Sequence, residues 1–332
     1  MSDKTTGILG GGSWATALVK MFIDTGNCKK LNWYIRNTEN IEHIKKFKHN
    51  KHYLSSVRLN TEKLFLSNDI NQIISKSDVL IFAIPSAFIK NALIKNNFSL
   101  SDKIIVSAVK GIIPGENQIF AEYFNQKYNV SLQNIGIITG PCHAEEIAAE
   151  RLSYLTVASE NKSLAEFIGN KIKTRYTRIN ISDDIYGTEY SAVLKNIYAL
   201  ASGICHGLGY GDNFQAVLVS NAIREMKRFV DTVHPINRDI KNSAYLGDLL
   251  VTAYSKFSRN RIFGTMTGKG YSVKAAQLEM KMIAEGYYAV KGIREINQKH
   301  NIFMPIVDAV YNILYLNKIP SEEIKKLTDK LT

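Results

Sequence analysis

Near the start of the chain three glycines and an alanine stand as Gly10-Gly11-Gly12-Ser13-Trp14-Ala15, directly after the apolar stretch Gly7–Gly10. Small residues at this G-x-G-x-x-A spacing suit a dinucleotide pyrophosphate. Gly10 permits a tight turn, Gly12 lets the backbone approach phosphate oxygens, and Ala15 keeps the following helix close to the strand. The helix start at Ser13 and Trp14 then offers unpaired N–H groups and the positive end of a dipole to the anion. A glycine-rich turn without a ligand has the same composition. The context of a strand before and an amphipathic helix after, Trp14–Thr25, favours the ligand. The second apolar run ends in Tyr34-Ile35-Arg36-Asn37. An acidic residue often holds a ribose 2′-hydroxyl at this place; Arg36 there suits a 2′-phosphate, or is a surface cation.

Further along, Lys195 lies within Tyr190-Ser191-Ala192-Val193-Leu194-Lys195-Asn196-Ile197-Tyr198. A lysine on so apolar a helical face either snorkels to solvent or works chemically. Burial would favour its neutral amine, as a general base at neutral pH requires. Lys110 closes a strand pattern before Gly111, at the sheet edge where ligands bind in α/β folds, though strand-end surface lysines are also common. Asp248 sits in Leu246-Gly247-Asp248-Leu249-Leu250, where a carboxylate needs a partner or caps a helix. Ser258-Arg259-Asn260-Arg261 is a dense donor cluster of the kind a phosphate dianion wants.

The elements that must position these groups fall into two patterns. Short apolar runs at Leu31–Ile35, Val79–Ile84, Ile104–Ala108, Ile135–Thr139, Leu155–Ser159 and Tyr176–Ile179 alternate with helical patterns, which predicts a mainly parallel sheet. From Glu189 to Val233 the spacing is helical, with a break expected over Gly203–Gly211, and Val273–Gln298 and Ile306–Leu316 continue it. The expected fold class is therefore α/β, an N-terminal Rossmann-like domain over residues 1–186 followed by an all-α domain over residues 187–332. The chain has 332 residues, 42 Lys plus Arg and 30 Asp plus Glu, for a net charge of +12. The excess divides evenly, with no basic tail or nucleic-acid signature. Cys28, Cys142 and Cys205 stand far apart without metal-ligand spacing, so neither a disulfide framework nor a metal site is expected. With no signal-like leader and no long apolar run, a cytoplasmic protein without membrane insertion is expected.

Read together in order, the glycine run, Ser107-Ala108-Val109-Lys110-Gly111, Gly140-Pro141-Cys142-His143-Ala144-Glu145, Ala192-Val193-Leu194-Lys195-Asn196, Gly207-Leu208-Gly209-Tyr210-Gly211, Leu246-Gly247-Asp248-Leu249, Ser258-Arg259-Asn260-Arg261 and Ala284-Glu285-Gly286 resemble the NAD(P)-dependent glycerol-3-phosphate dehydrogenase family in its bacterial form. The resemblance runs from Gly10 to about Leu316. It implies interconversion of dihydroxyacetone phosphate and sn-glycerol 3-phosphate with NAD(P)H, supply of glycerol 3-phosphate for phospholipid synthesis, and a homodimer. It also implies roles. Lys195 would exchange the proton at the C2 oxygen, with Lys110 and Asp248 beside it. Gly10, Gly12, Ser13, Trp14, Arg36, Lys110, Ala144, Arg259, Ile283 and Glu285 would meet the cofactor. Lys110, Gly140, Cys142, Lys195, Asp248, Ser258, Arg259 and Asn260 would meet the substrate. The chain departs from the family pattern at Cys142, where Ser or Thr is usual, at His206, at Tyr245 and at Ala15, all of which bear on affinity more than on the reaction.

Two other readings use the same residues. A related two-domain hydroxy acid dehydrogenase would hold a carboxylate with the Ser258–Asn260 cluster, and a substrate panel separates it. A non-catalytic dinucleotide sensor or nucleic-acid binder would exploit the charge, but the even charge distribution and the apolar setting of Lys195 oppose it.

Overall fold

The structure is a computed structural model that describes residues 4–26, 28–94, 96–280 and 284–332. The chain forms two compact units, Met1–Val109 with Phe120–Ile185, and Lys110–Ile119 with Tyr186–Thr332.

The first unit is built on eight strands: β1 (Thr6–Leu9), β2 (Leu31–Tyr34), β3 (Leu64–Ser67), β4 (Val79–Phe82), β5 (Ile104–Ser107), β6 (Ile135–Thr139), β7 (Ser153–Ala158) and β8 (Thr177–Ser182). They form one sheet in the order β3-β2-β1-β4-β5-β6-β7-β8. All neighbours are parallel except β6 and β7. Helices α1 (Ser13–Asp24), α2 (Thr38–Phe47), α3 (Ile70–Ser75), α4 (Ile89–Leu93), α5 (Phe120–Tyr128), α6 (Ala144–Ala148) and α7 (Lys162–Ile172) connect and cover it. Strands buried on both faces read as continuous apolar runs, as in Val79-Leu80-Ile81-Phe82, all buried. The strand order reverses between β1 and β4, and the crevice beyond such a reversal is the general ligand position of these sheets. Strand β3 lies outside the sequence expectation: its four residues between polar segments carry no alternation, and it forms the edge of the sheet by pairing in parallel with β2.

The second unit is helical: α8 (Ile185–Gly207), α9 (Asp212–Val233), α10 (Asp248–Tyr254), α11 (Arg259–Gly268), α12 (Val273–Glu279), α13 (Glu285–Asn297), α14 (Pro305–Tyr315) and α15 (Pro320–Thr328). The break expected over Gly203–Gly211 falls at the far end of that span: α8 runs through Gly203 and ends at Gly207, and α9 begins at Asp212. The reason is packing. A Cβ on Gly203 would lie 2.1 Å from the Arg261 carbonyl oxygen, and one on Gly264 would lie 2.2 Å from that of Leu200. The pairs Gly203/Gly207 and Gly264/Gly268 thus let the backbones of α8 and α11 nearly touch. The single helical pattern over Val273–Gln298 resolves into α12 and α13. The segment Lys110–Ile119, expected with the sheet, belongs to the helical unit because Ile112 and Ile119 are buried in its core.

Candidate active site

In the first unit, β1 delivers the chain into the glycine-rich turn at the sheet's carboxyl edge. Gly10 takes φ +136°, and a Cβ there would stand 2.5 Å from the Ala83 carbonyl oxygen, so only glycine fits. A Cβ on Gly12 would meet nothing within 4 Å, leaving open space over the backbone where a phosphate can approach. The N–H groups of Gly11, Gly12 and Ser13 donate to no protein group among the described residues. These features fit the pyrophosphate of a dinucleotide. Among the described residues, no protein group accepts the buried Trp14 indole N–H. Arg36 is exposed, two residues beyond β2. After β6, Gly140 takes φ +116° with a built Cβ only 3.0 Å from the Tyr154 carbonyl oxygen, and Cys142 and Ala144 follow it, both buried.

The second unit brings Lys195, Asp248 and Lys110 together. Lys195 and Asp248 are 3% and 1% exposed, and Lys195 Nζ donates to Asp248 Oδ1. Lys110 Nζ stands 3.7 Å from the other carboxylate oxygen. A one-turn π-helix, Ser243–Gly247, leads into α10 and sets Asp248 at its first position; such irregular turns often occur at functional sites. Tyr245 lies in this turn and is packed into the helical core. Burial drives the Lys195 ammonium down, to about 7, against the pull of Asp248, and Lys110 repels its charge further. The cluster is a buried amine near neutrality, oriented by a carboxylate, with a second cation alongside.

Amides tie this cluster to the neighbouring helices. Asn196 donates to the Lys110 carbonyl oxygen at 2.9 Å, Asn260 donates to Asn196 Oδ1 at 2.9 Å, and the Gly286 N–H donates to Asn260 Oδ1 at 2.9 Å. Asn260, expected to meet a ligand, therefore also joins α8, α11 and α13. Ser258 caps α11 through the Arg261 N–H at 3.3 Å, and Arg259 is exposed on its first turn. Glu285 is partly exposed at the start of α13. Ile283 lies outside the described residues. Asn196 was not singled out from sequence, although a polar amide beside Lys195 in an apolar helix was an available signal. Trp33 and Asn50, which bond the glycine-rich turn, carried no such signal.

Family models described as the N-terminal and C-terminal parts of NAD-dependent glycerol-3-phosphate dehydrogenase match residues 5–165 and 184–325. A glycerol-3-phosphate dehydrogenase [NAD(P)+] of an Exiguobacterium species is 31% identical, covering 96% of this chain and 94% of the relative. That of Halothermothrix orenii is 33% identical, covering 98% and 95%. The crystal structure of glycerol-3-phosphate dehydrogenase from Coxiella burnetii superposes with a TM-score of 0.89 at 26% identity, covering 99% of both chains. With identity of this order sustained along both units, the chain belongs to the NAD-dependent glycerol-3-phosphate dehydrogenase family.

Proposed function

We infer that this chain interconverts dihydroxyacetone phosphate and sn-glycerol 3-phosphate with NAD(P)H. The observation that carries the reading, beyond family membership, is the buried Lys195–Asp248–Lys110 cluster. In the reductive direction Lys195 delivers a proton to the C2 carbonyl oxygen; in the oxidative direction it accepts the hydroxyl proton. Asp248 holds the amine in place and favours its charged form. Lys110 is positioned to polarise the same oxygen. The α11 start, with Arg259 and the remaining donor capacity of Ser258 and Asn260, suits the phosphate dianion, since charge and helix dipole act together there. Bound NAD(P)H supplies the hydride to C2. The open backbone at Gly12 and the exposed Arg36 suit the cofactor's phosphates, Arg36 a 2′-phosphate in particular. By the family pattern, Gly140, Cys142, Ala144, Ile283 and Glu285 would each meet ligand as well.

The physiological part of the proposal is reduction in the cytoplasm, supplying glycerol 3-phosphate for phospholipid synthesis, by a homodimer. Among the described residues no helix is long and apolar enough to cross a membrane. The test is loss of reduced-nicotinamide absorbance when purified protein meets dihydroxyacetone phosphate with NADH or with NADPH. Turnover supports the reading, and the NADPH-to-NADH ratio, compared with an R36A variant, reports what Arg36 does. Folded protein that binds cofactor yet reduces only 2-keto acids overturns it. Sedimentation checks the dimer.

A further inference from the structure

We propose that Trp33 and Asn50 are positioning residues for the cofactor, acting through the carbonyl groups of the glycine-rich turn. Three consecutive carbonyls of that turn are held by side chains. Trp33 Nε1 donates to the Gly10 oxygen at 2.6 Å. Asn50 Nδ2 donates to the Gly11 oxygen at 3.1 Å. Thr16 Oγ1 donates to the Gly12 oxygen at 3.0 Å, which also accepts the Thr16 N–H. Asn50 Nδ2 further donates to Thr16 Oγ1 at 2.9 Å, linking the last two anchors. The orientation of the Asn50 amide is fixed from its other end, where Oδ1 accepts the His52 and Tyr53 N–H groups at 3.1 and 3.3 Å.

A trans peptide unit is planar, with its C=O and N–H pointing in opposite directions, and the described chain holds no cis bond. Fixing the Gly10 carbonyl therefore aims the Gly11 N–H away from Trp33. Fixing Gly11 aims the Gly12 N–H away from Asn50, and fixing Gly12 aims the Ser13 N–H outward along α1. These are the same three N–H groups that have no protein acceptor among the described residues. Glycines alone would leave the turn free to rotate its peptide planes, at an entropic cost whenever an anion binds. Trp33, Thr16 and Asn50 are fully buried, so the anchors exclude water from the inner side. The two side chains touch the turn from behind and set its donors in advance, as a preorganised nest for phosphate.

This rests on the dinucleotide reading of the turn. The experiment is calorimetric binding of ADP-ribose, which carries the pyrophosphate, and of adenosine, which does not, to wild type, Trp33→Phe, Asn50→Ala and the double variant. W33F keeps an apolar ring in the buried position and serves if N50A does not fold. The ADP-ribose Kd rises about five- to tenfold per anchor, the worth of one hydrogen bond. The adenosine Kd holds, the NADH KM follows ADP-ribose, and kcat at saturating cofactor and the dihydroxyacetone phosphate KM change by less than about twofold, the additivity error of a remote site. Unchanged ADP-ribose affinity overturns the proposal. Equal weakening of adenosine and ADP-ribose also overturns it, by showing general collapse of the unit. Wild-type protein that binds no ADP-ribose overturns the dinucleotide reading and the clamp with it.

Discussion

At the scale of single residues the proton chemistry rests on one amine. Lys195 is buried and its proton affinity is lowered, first by desolvation and then by Lys110, with Asp248 opposing both. In reduction the protonated amine is the acid, so the rate is retained at low pH and declines as pH rises past about 7. In oxidation the neutral amine is the base, so that rate rises over the same interval. Opposite limbs in the two directions, measured as kcat/KM against pH, check the assignment. Lys195→Ala removes both limbs and lowers turnover about 10²–10⁴-fold, the usual worth of general acid–base catalysis. Asp248→Asn removes the group that favours the charged amine, so the midpoint moves to lower pH; a midpoint that moves up instead contradicts the orientation given to Asp248. Lys195 and Asp248 were legible as candidates because charged groups in apolar sequence need a reason to be there. Spacing alone does not pair them, since 53 positions separate them; the family resemblance set Asp248 beside Lys195, and the structure joins the two. Asn196 and Asn260 were harder still: an amide's partner is set by tertiary contact, and nothing in its spacing names the Lys110 carbonyl.

At the scale of elements, the catalytic cluster depends on how closely α8 and α11 approach. Lys195 and Asn196 ride on α8, Arg259 and Asn260 on α11, and the Asn260–Asn196 hydrogen bond spans the two. Glycine in a helix interior normally costs about 1 kcal/mol relative to alanine, so a Gly203→Ala change in an uncrowded helix would stabilise. Here the new Cβ would meet the Arg261 carbonyl oxygen at 2.1 Å, and backbone cannot yield as a side-chain tip can. The expected sign is therefore reversed, with destabilisation of about 1–3 kcal/mol from overpacking and a fall in kcat as the amide tie stretches. Urea unfolding with steady-state kinetics checks both; a stabilised, fully active G203A would mean the helices are free to separate without consequence. The same close packing explains why, within the expected break over Gly203–Gly211, Gly203 stays inside α8 and the chain turns only after Gly207. Glycine signals a turn when only local conformation is considered, and its use as a contact surface shows only once the second helix is present. The parallel sheet was plainer, because strands covered on both faces are apolar throughout. Its edge strand β3 was not, because pairing rather than pattern creates it.

At the scale of the whole molecule, the +12 net charge divides as 23 basic and 17 acidic side chains over residues 1–186, and 19 and 13 over residues 187–332. A charge so spread builds no single nucleic-acid face, but it does raise the local concentration of small anions such as a triose phosphate or a dinucleotide. This attraction acts through solvent and is screened, with a Debye length that shrinks from about 10 Å at 0.1 M salt to about 3 Å at 1 M. The Lys195–Asp248 pair is buried and screened far less. The two contributions can therefore be separated by salt. Raising sodium chloride from about 0.05 to about 0.5 M should lower kcat/KM for dihydroxyacetone phosphate several-fold through KM, while kcat holds. Sulfate at matched ionic strength should raise KM further, because a divalent tetrahedral anion competes for the Arg259 end of α11 as well as screening. Initial rates across both salts decide the point: a kcat that falls in parallel with 1/KM would place solvent-exposed charge inside the proton-transfer step and contradict the buried cluster as its seat.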